Sequence, residues 1–512
     1  MGKEKRKLPE GWVTIKMDEL MVKTPSVNPA NRPTNKYELW SVPAFPTDVP
    51  EYVQGEDVGS NKQIVQPGDV LLCKINPRIN RVWLVREKTG FDQIASTEWI
   101  VLRCNELLPE FIMYLLREEG FRHRLCADLS GIGGSLTRAR PRIVGKLEID
   151  LSPLNEQKRI VAKIEELQAR SRRAREALET VPDLLEQLRQ SILAAAFRGE
   201  LTKKWRKRHR GIKSASELLK RIRTERRKRW EATELDKLKA KGLSGDKLDE
   251  AFAKQRKKYK EPIPVDTSDL PGLPEGWCWA GLEELSEWVT DGTHQPPPFM
   301  EEGIPFLVIS NMVNGEIKWD KVDKWVSPET YNKYTGIYKP RKGDIIYSTV
   351  GSYGVAVEVL TEQRFMFQRH IGHIRPLSEL LSVTYLTLSL NSSFTKSQAD
   401  KVARGVAQKT VNLSDLRRFC IPLAPAVEQG EIVRLIGQIF QKSEAQQQVI
   451  VSSREYLDIF DQSVLSKAFR GELVPQDPND EPASVFLEQI KKKKERESAV
   501  KKAKSGQRGK RF

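Results

Sequence analysis

Five short stretches of this 512-residue chain crowd hydrogen-bonding side chains into turns. "CKINPRINR" (73–81) carries Lys74, Asn76, Arg78, Asn80 and Arg81, and "GIGGSLTRARPR" (131–142) carries Ser135, Thr137, Arg138 and Arg140. "TDGTHQPPP" (290–298) holds Thr290, Asp291, Thr293, His294 and Gln295. "YSTVGSYG" (347–354) holds Ser348, Thr349, Ser352 and Tyr353, and "ARGVAQKT" (403–410) holds Arg404, Gln408 and Lys409. Donors and acceptors of this kind bind; they do not form a catalytic set. An amino-methyltransferase needs Asn, Asp or Ser before Pro-Pro-aromatic, whereas "QPPPF" places Gln295 and Pro296 there and "INPR" lacks the second proline. The carboxylates of "PDLLEQL" (182–188) lie in a helical stripe without the lysine a nuclease wants. "GIGGSL" has Leu136 at the third glycine position of a dinucleotide fingerprint, and there is no G-x-x-x-x-G-K-[ST] phosphate loop. His370 and His373 make H-x-x-H with no third ligand in view. No catalytic or metal-ligating residue is therefore assigned.

The composition agrees with a binding role. Eighty-six Lys and Arg against 69 Asp and Glu give a formal charge of +17, which favours a polyanion as partner. Basic tails on an ordinary protein are the plain alternative. Five scattered cysteines without a C-x-x-C imply neither a zinc ribbon nor a disulfide framework, and point to a reducing, cytoplasmic setting. The start lacks the apolar run of a signal peptide, and no run of 18 apolar residues predicts a membrane span.

These turns must be positioned by something, and the chain is written twice. "AFRGELT" (196–202) recurs as "AFRGELV" (468–474), and "LPEGW" occurs at 8–12 and 273–277. "QPGDVLLCKI" (66–75) matches "RKGDIIYSTV" (341–350), and Glu156-Gln157 matches Glu428-Gln429. The offset drifts between 265 and 275 while the order of landmarks holds, as loop insertions require. Residues 64–103 and 304–375 read as strands broken by turns, with a shorter helix expected around 109–126 and 378–399. Each half then enters a long helix with 4-3-4-3 spacing. The first seam is Ile160, Ile164, Leu167, Leu178, Leu188 and Ile192. The second is Ile432, Ile436, Ile439, Ile450, Leu457, Phe460 and Val464. Gly199 and Gly471 stand where each helix should stop, and Pro182 should kink the first.

The expected fold is α+β: two globular domains, each leading into a long helix, with the helices paired as an antiparallel coiled coil of pseudo-two-fold symmetry. The segments are 1–152 (first domain), 153–200 (first helix), 201–270 (charged helical insertion and linker), 271–424 (second domain), 425–473 (second helix) and 474–512 (basic tail). The insertion and tail fall outside the doubling and read as solvated charged segments.

Along essentially its full length the chain resembles the specificity (S) subunit of a type I restriction–modification enzyme. "LPEGW", "PLNEQKRIVAKIEEL" and the two "AFRGEL" closings carry the resemblance, with "YELWSVPAF" and "VTDGTHQPP" typical of target recognition domains. The resemblance implies that each domain reads one half of an asymmetric, bipartite duplex DNA target, with the helices as spacer. It implies two modification subunits carrying S-adenosylmethionine and methylating adenine N6, and restriction subunits using ATP and Mg, with no cofactor in this chain. The donor-rich turns then become the candidate base readers, with lysines and arginines on phosphates setting register. "TDG" as a mere turn and "GIGGSL" as a mere connection are the plainer readings. Arg159, Lys163 and Glu166, with Glu428, Glu431 and Arg434 opposite them, are candidate contacts for the modification subunits. A subunit of a methyltransferase-only or phage-defence complex, and a structural coiled-coil or RNA-binding protein, are the alternatives.

Overall fold

The computed structural model describes residues 7–103, 106–127, 137–313, 315–405, 408–485 and 487–488. Ser135 and the basic tail from Ile490 lie outside the described residues. The chain divides into two compact units, residues 1–179 with 449–512 and residues 180–448. Each long helix, Leu154–Phe197 and Ala426–Ala468, thus contributes one part to each unit.

In unit 1, strand Val13–Lys16 pairs antiparallel with Glu148–Leu151, closing the domain at its root. Asp69–Cys73 is the middle of a three-stranded sheet between Val82–Leu84 and Trp99–Arg103. A five-stranded sheet packs on it through Trp40, Trp83 and Trp99. The helix expected around 109–126 is two, Pro109–Arg117 and Glu119–Ala127. Ile160 and Ile164 share one core with Val464, Leu465 and Ala468, so the two helix segments of this unit run antiparallel. Further along, Ser171 Oγ donates to Asp461 Oδ2 at 3.1 Å, and Arg175 reaches Asp458 and Asp461 at 2.6 Å.

Unit 2 repeats the plan. Cys278–Gly281 pairs antiparallel with Cys420–Leu423, and Ile345–Ser348 lies between Ala356–Glu358 and Ile371–Pro376, with Ser286–Asp291 at the edge. Two helices, Val383–Leu390 and Ser393–Val402, replace the single one expected. Leu193 and Phe197 share a core with Ile432 and Ile436, and Arg189 stacks 4.3 Å above the Phe440 ring. The first long helix runs through Pro182 without a break.

The heptad seam needs correction in its middle. Leu188 and Phe460 are 46% and 41% exposed, while Leu193 and Leu465 are buried. A helix of 3.6 residues per turn drifts about 20° per heptad against a strict 3.5 repeat, so the buried stripe moves one residue on.

The two units are wired by the same bonds. Trp12 Nε1 donates to Glu156 Oε2 at 3.0 Å, and Trp277 Nε1 to Glu428 Oε2 at 2.9 Å. Gln157 accepts from the Leu108 N–H and donates to Ser152 O; Gln429 accepts from the Ser382 N–H and donates to Ala424 O. The repeated phrases meet crosswise. In unit 1 the first "LPEGW" sits on the second "AFRGEL", where a Cβ on Gly471 would fall 2.6 Å from Pro9 Cγ. In unit 2 the second "LPEGW" sits on the first "AFRGEL", where a Cβ on Gly199 would fall 2.4 Å from Pro274 Cγ. Both glycines have φ of +73° and end their helices with paired N–H bonds back to the last turn.

The insertion also belongs to the doubling at its root, contrary to the expectation from sequence. Ala215 N–H donates to Gly276 O at 2.8 Å, and Ala483 N–H to Gly11 O at 2.9 Å. Ala215 opens a helix (Ala215–Ala240) that turns back as a second (Asp246–Arg256).

Candidate nucleic-acid interface

The donor-rich turns of each domain grow from one rooted strand. In unit 1 a Gly-Asp turn precedes Asp69–Cys73, and Asp69 takes two 2.8 Å bonds from Arg103. In unit 2 the Gly-Asp turn precedes Ile345–Ser348, and Arg375 donates to both oxygens of Asp344 at 2.7 Å. His373, fully buried, adds a third contact at 2.7 Å, and Arg375 stacks 4.1 Å from the Trp288 ring. Burial opposes ionisation of Asp344, but the Arg375 and His373 hydrogen bonds outweigh it and hold the carboxyl below its usual range.

From the end of that strand the chain turns outward and is pinned to the second donor-rich segment. In unit 1 the Asn76 N–H donates to Thr137 O and the Ala139 N–H to Lys74 O, both at 2.9 Å. In unit 2 the Gly351 N–H donates to Lys409 O at 3.1 Å and the Val411 N–H to Thr349 O at 2.8 Å. The bridges Ile75↔Arg138 and Val350↔Thr410 are thus the same junction built twice. Even the backbone agrees: Asn76 (φ +45°) and Gly351 (φ +68°) both take the left-handed conformation.

Within this shared frame the side chains differ. In unit 1, Arg78 and Arg140 are exposed with no hydrogen bond or ion pair among the described residues, and Arg138 is held by Glu98 at 2.9 Å. Lys74 Nζ meets Thr97 O, Arg81 donates to Ile75 O, and Asn80 Nδ2 donates to Arg117 O. Asn80 therefore shapes the turn, whereas Arg78 is free to reach outward. In unit 2, Ser348 and Thr349 are buried, their hydroxyls given to Ser352 O and His370 O. Ser352, Arg404, Gln408 and Lys409 are exposed. Tyr353 donates to Asp400 at 2.7 Å beneath Lys396, which sits 3.8 Å from its ring.

The third turn of unit 2 joins the other two through the segment between strands Met366–Phe367 and Ile371–Pro376. Thr293 N–H donates to Phe367 O, Arg369 N–H donates to Thr293 O, and Thr349 N–H donates to His370 O. A Cβ on Gly292 would fall 2.1 Å from Phe367 O, so the Asp-Gly pair serves a close backbone approach. Thr290 and Asp291 end the edge strand, Asp291 faces His294 at 3.3 Å, Thr293 bonds Gln295 O, and Gln295 is exposed. Arg369 is exposed between these turns and joins the candidates. The signal was present in "QRHIGH", a polar run before a strand. Burial and the neighbouring Arg369 charge lower the His370 pKa, keeping its imidazole neutral. A groove of about 1110 Å³ lies between Ser352–Val355 and the helix segments around Arg189 and Phe440. No cluster of three metal-ligating side chains occurs among the described residues.

One proposed partner contact is overturned. Glu428 is 1% exposed and bonded to Trp277, Thr202 and Arg206. It is a frame residue and not a docking contact; Arg159 is likewise committed, to Asp480 at 2.6 Å.

The two domains build the same junction and differ in the exposed donors it carries. Residues 301–451 match the type I restriction modification DNA specificity domain. Over 72% of this chain and 70% of the relative, the sequence is 27% identical to the type I restriction enzyme EcoBI specificity subunit of Escherichia coli. It is 23% identical to the EcoDI specificity subunit of Escherichia coli over 95% and 96% of the two chains. Among solved structures it resembles the HsdS subunit from Thermoanaerobacter tengcongensis, with a TM-score of 0.55 and 23% identity over 92% of this chain and all of that one. A chain from a study of type I R-M complex assembly and conformational transition gives a TM-score of 0.61 at 22% identity, with the same coverage. Residues 301–451 thus match a DNA specificity domain, and the chain as a whole is similar in sequence and fold to type I restriction enzyme specificity subunits.

Proposed function

We propose that each unit reads one half of a split, asymmetric target in duplex DNA. The observation that carries this reading is the twice-built junction: one backbone frame presents Arg78, Arg138 and Arg140 in unit 1, but Ser352, Arg404, Gln408 and Lys409 in unit 2. Identical frames holding different donors suit two different base sequences. Arginine suits guanine edges by a bidentate bond, glutamine suits adenine, and the lysines and remaining arginines hold phosphates.

The chain is the non-catalytic reader. Two modification subunits bring S-adenosylmethionine and methylate adenine N6; restriction subunits bring ATP and Mg. The long helices dock the modification subunits, one per repeat. Val449, Tyr456 and Ile459, 63%, 70% and 63% exposed at helical spacing, favour such a use of the second helix. No helix among the described residues is long and apolar enough to cross a membrane, and the complex acts on cytoplasmic DNA.

The test is mapping of N6-methyladenine in a methylation-free host expressing this chain with its modification subunit. Residues 8–150 are then exchanged for the first domain of another family member. A split motif in which one half changes is the expected result. A stable complex that methylates nothing with either chain overturns the reading, and a motif produced by this chain alone reveals a missed catalytic site.

A further inference from the structure

The segment after each "AFRGEL" fills the same place in both units and carries opposite charge. Each ends in an alanine N–H bonded to a glycine carbonyl, Ala215 to Gly276 and Ala483 to Gly11. In unit 1 this strap is "VPQDPNDEP" (474–482), with three acids and no cation. In unit 2 it is "KKWRKRHRGIKS" (203–214), with seven Lys and Arg and no acid. Only Arg206 is spent internally, on Glu428, Thr202 and Gly199 O. Lys203, Lys204, Lys207, Arg208, Arg210 and Lys213 are exposed and carry no ion pair among the described residues.

The helical hairpin that follows repeats the division of labour. Arg223, Arg226 and Arg229 pair with Glu284, Glu283 and Glu379 and fix the hairpin to the second domain. Lys220, Arg221 and Lys228, on the opposite face, are exposed without ion pairs among the described residues. Residues 203–261 hold 23 Lys and Arg against nine Asp and Glu, which is most of the chain's net +17. No large apolar side chain is exposed between Leu188 and Ile263. A protein partner needs an apolar interface centre, whereas a phosphate backbone needs only cations.

We propose that the strap 203–213, with the outer face of the hairpin, holds phosphates of duplex DNA flanking the half-site read by unit 2, without regard to sequence. The inference rests on the DNA-reading assignment above and adds an asymmetric grip: unit 1 has no counterpart among its described residues.

The test measures anisotropy of a labelled duplex of unrelated sequence, about four helical turns long, with the full-length chain across a KCl series. The comparison is a variant with the six free strap cations changed to Gln. Each lost phosphate contact lowers the slope of log K against log[KCl] by about 0.9, so a drop of roughly 3–5 is expected. At about 100 mM salt that means a loss of at least roughly tenfold in affinity. The conservative changes Arg208→Lys and Arg210→Lys, made together, keep both charges and should bind like the parent. An unchanged slope and affinity overturns the proposal, as does an unchanged slope together with a lost methyltransferase complex, which would make the strap a protein contact. If the sixfold variant misfolds, K203Q/K204Q/K207Q is read the same way with about half the change in slope. A split methylation motif that survives an unchanged slope sinks this inference alone; absence of any motif sinks the reading beneath it.

Discussion

Gly199→Ala should destabilise unit 2 far more than glycine-to-alanine changes at open positions of the chain. Two costs add. Alanine at φ +73° pays about 1–2 kcal/mol for the left-handed conformation. The new Cβ would also lie 2.4 Å from Pro274 Cγ and 2.9 Å from Arg206 Nη1. The arginine can swing away, but the proline ring cannot, and overpacking of that kind costs about 1–3 kcal/mol. The sum is roughly 2–5 kcal/mol, or about 5–15 °C in the unfolding midpoint of a unit this size.

Gly242→Ala is the control, because Gly242 has φ +82° and no atom within 4 Å of its Cβ position. It should show the conformational cost alone. Calorimetry gives the midpoints, and hydrogen exchange at 192–202 and 273–282 assigns the loss to unit 2. The sharper check is a cycle with Pro274→Ala, which removes the offending ring. The double variant should recover about 1–3 kcal/mol relative to additivity. If Gly199→Ala is no worse than Gly242→Ala, or the cycle shows no coupling, the paired motifs do not seat as described.

Glu156 and Glu428 occupy equivalent sites but should respond oppositely to loss of charge. Burial raises the Glu156 pKa against the Trp12 bond and the Arg159 charge, so its contribution to stability is fully present below the ordinary glutamate value of about 4.3 and is lost as pH rises beyond it. Glu156→Gln should therefore gain stability at neutral pH and flatten that fall, whereas Glu428→Gln leaves the Arg206 guanidinium without its carboxylate and should lose about 2 kcal/mol or more. Thermal melts between about pH 4 and 8 read both. Arg159→Glu should loosen the 474–482 strap by about 1 kcal/mol, and adding Asp480→Arg should restore it; limited proteolysis after residue 474 decides, and no rescue would refute the pairing. Gly292→Ala drives a Cβ into Phe367 O and should displace the 293–295 turn; under the proposed function it should blur the half of the methylation motif assigned to unit 2 and leave the other half sharp.

Much of the frame was legible because it was written twice. The repeated phrases, the Gly-Asp turns and the Glu-Gln pairs all stand out by internal comparison, and each proves to be a fixed bond in both units. What could not be read was which copy of a phrase meets which. "LPEGW" binds the "AFRGEL" from the other half of the chain, a pairing set by the antiparallel helix segments and invisible to a linear offset. The seam failed at Leu188 and Phe460 because a one-residue drift of the buried stripe depends on helix twist. The candidate readers were found as a neighbourhood and sorted only by structure. Ser348, Thr349 and Asn80 look like Ser352 and Arg78 in composition, yet their polar atoms close the turn that exposes the others. Ala215 and Ala483 were missed because "SASELL" and "PASVFL" share too few residues to register until each is seen bonded to the glycine of its own "LPEGW".

A frame built twice from the same bonds has a weakness: nothing in those bonds tells one copy from the other. Trp12 would suit Glu428 as well as Glu156, and either proline would seat on either glycine. The charges around the frame supply the missing distinction. Where the first helix begins, Arg159 meets the acidic strap through Asp480; at the matching position of the second helix stands Glu431, one turn from Glu428, which holds the basic strap through Arg206. Exchanging the straps would set Arg206 beside Arg159 as well as Glu156, and Asp480 beside Glu428 and Glu431 with its Arg159 partner lost, so like-charge repulsion replaces part of the native attraction. The same asymmetry that keeps each strap on its own unit leaves the surplus cations of the second strap facing outward. Fidelity of strap placement on two similar frames and the proposed one-sided hold on a polyanion thus rest on a single difference in charge between two equivalent segments.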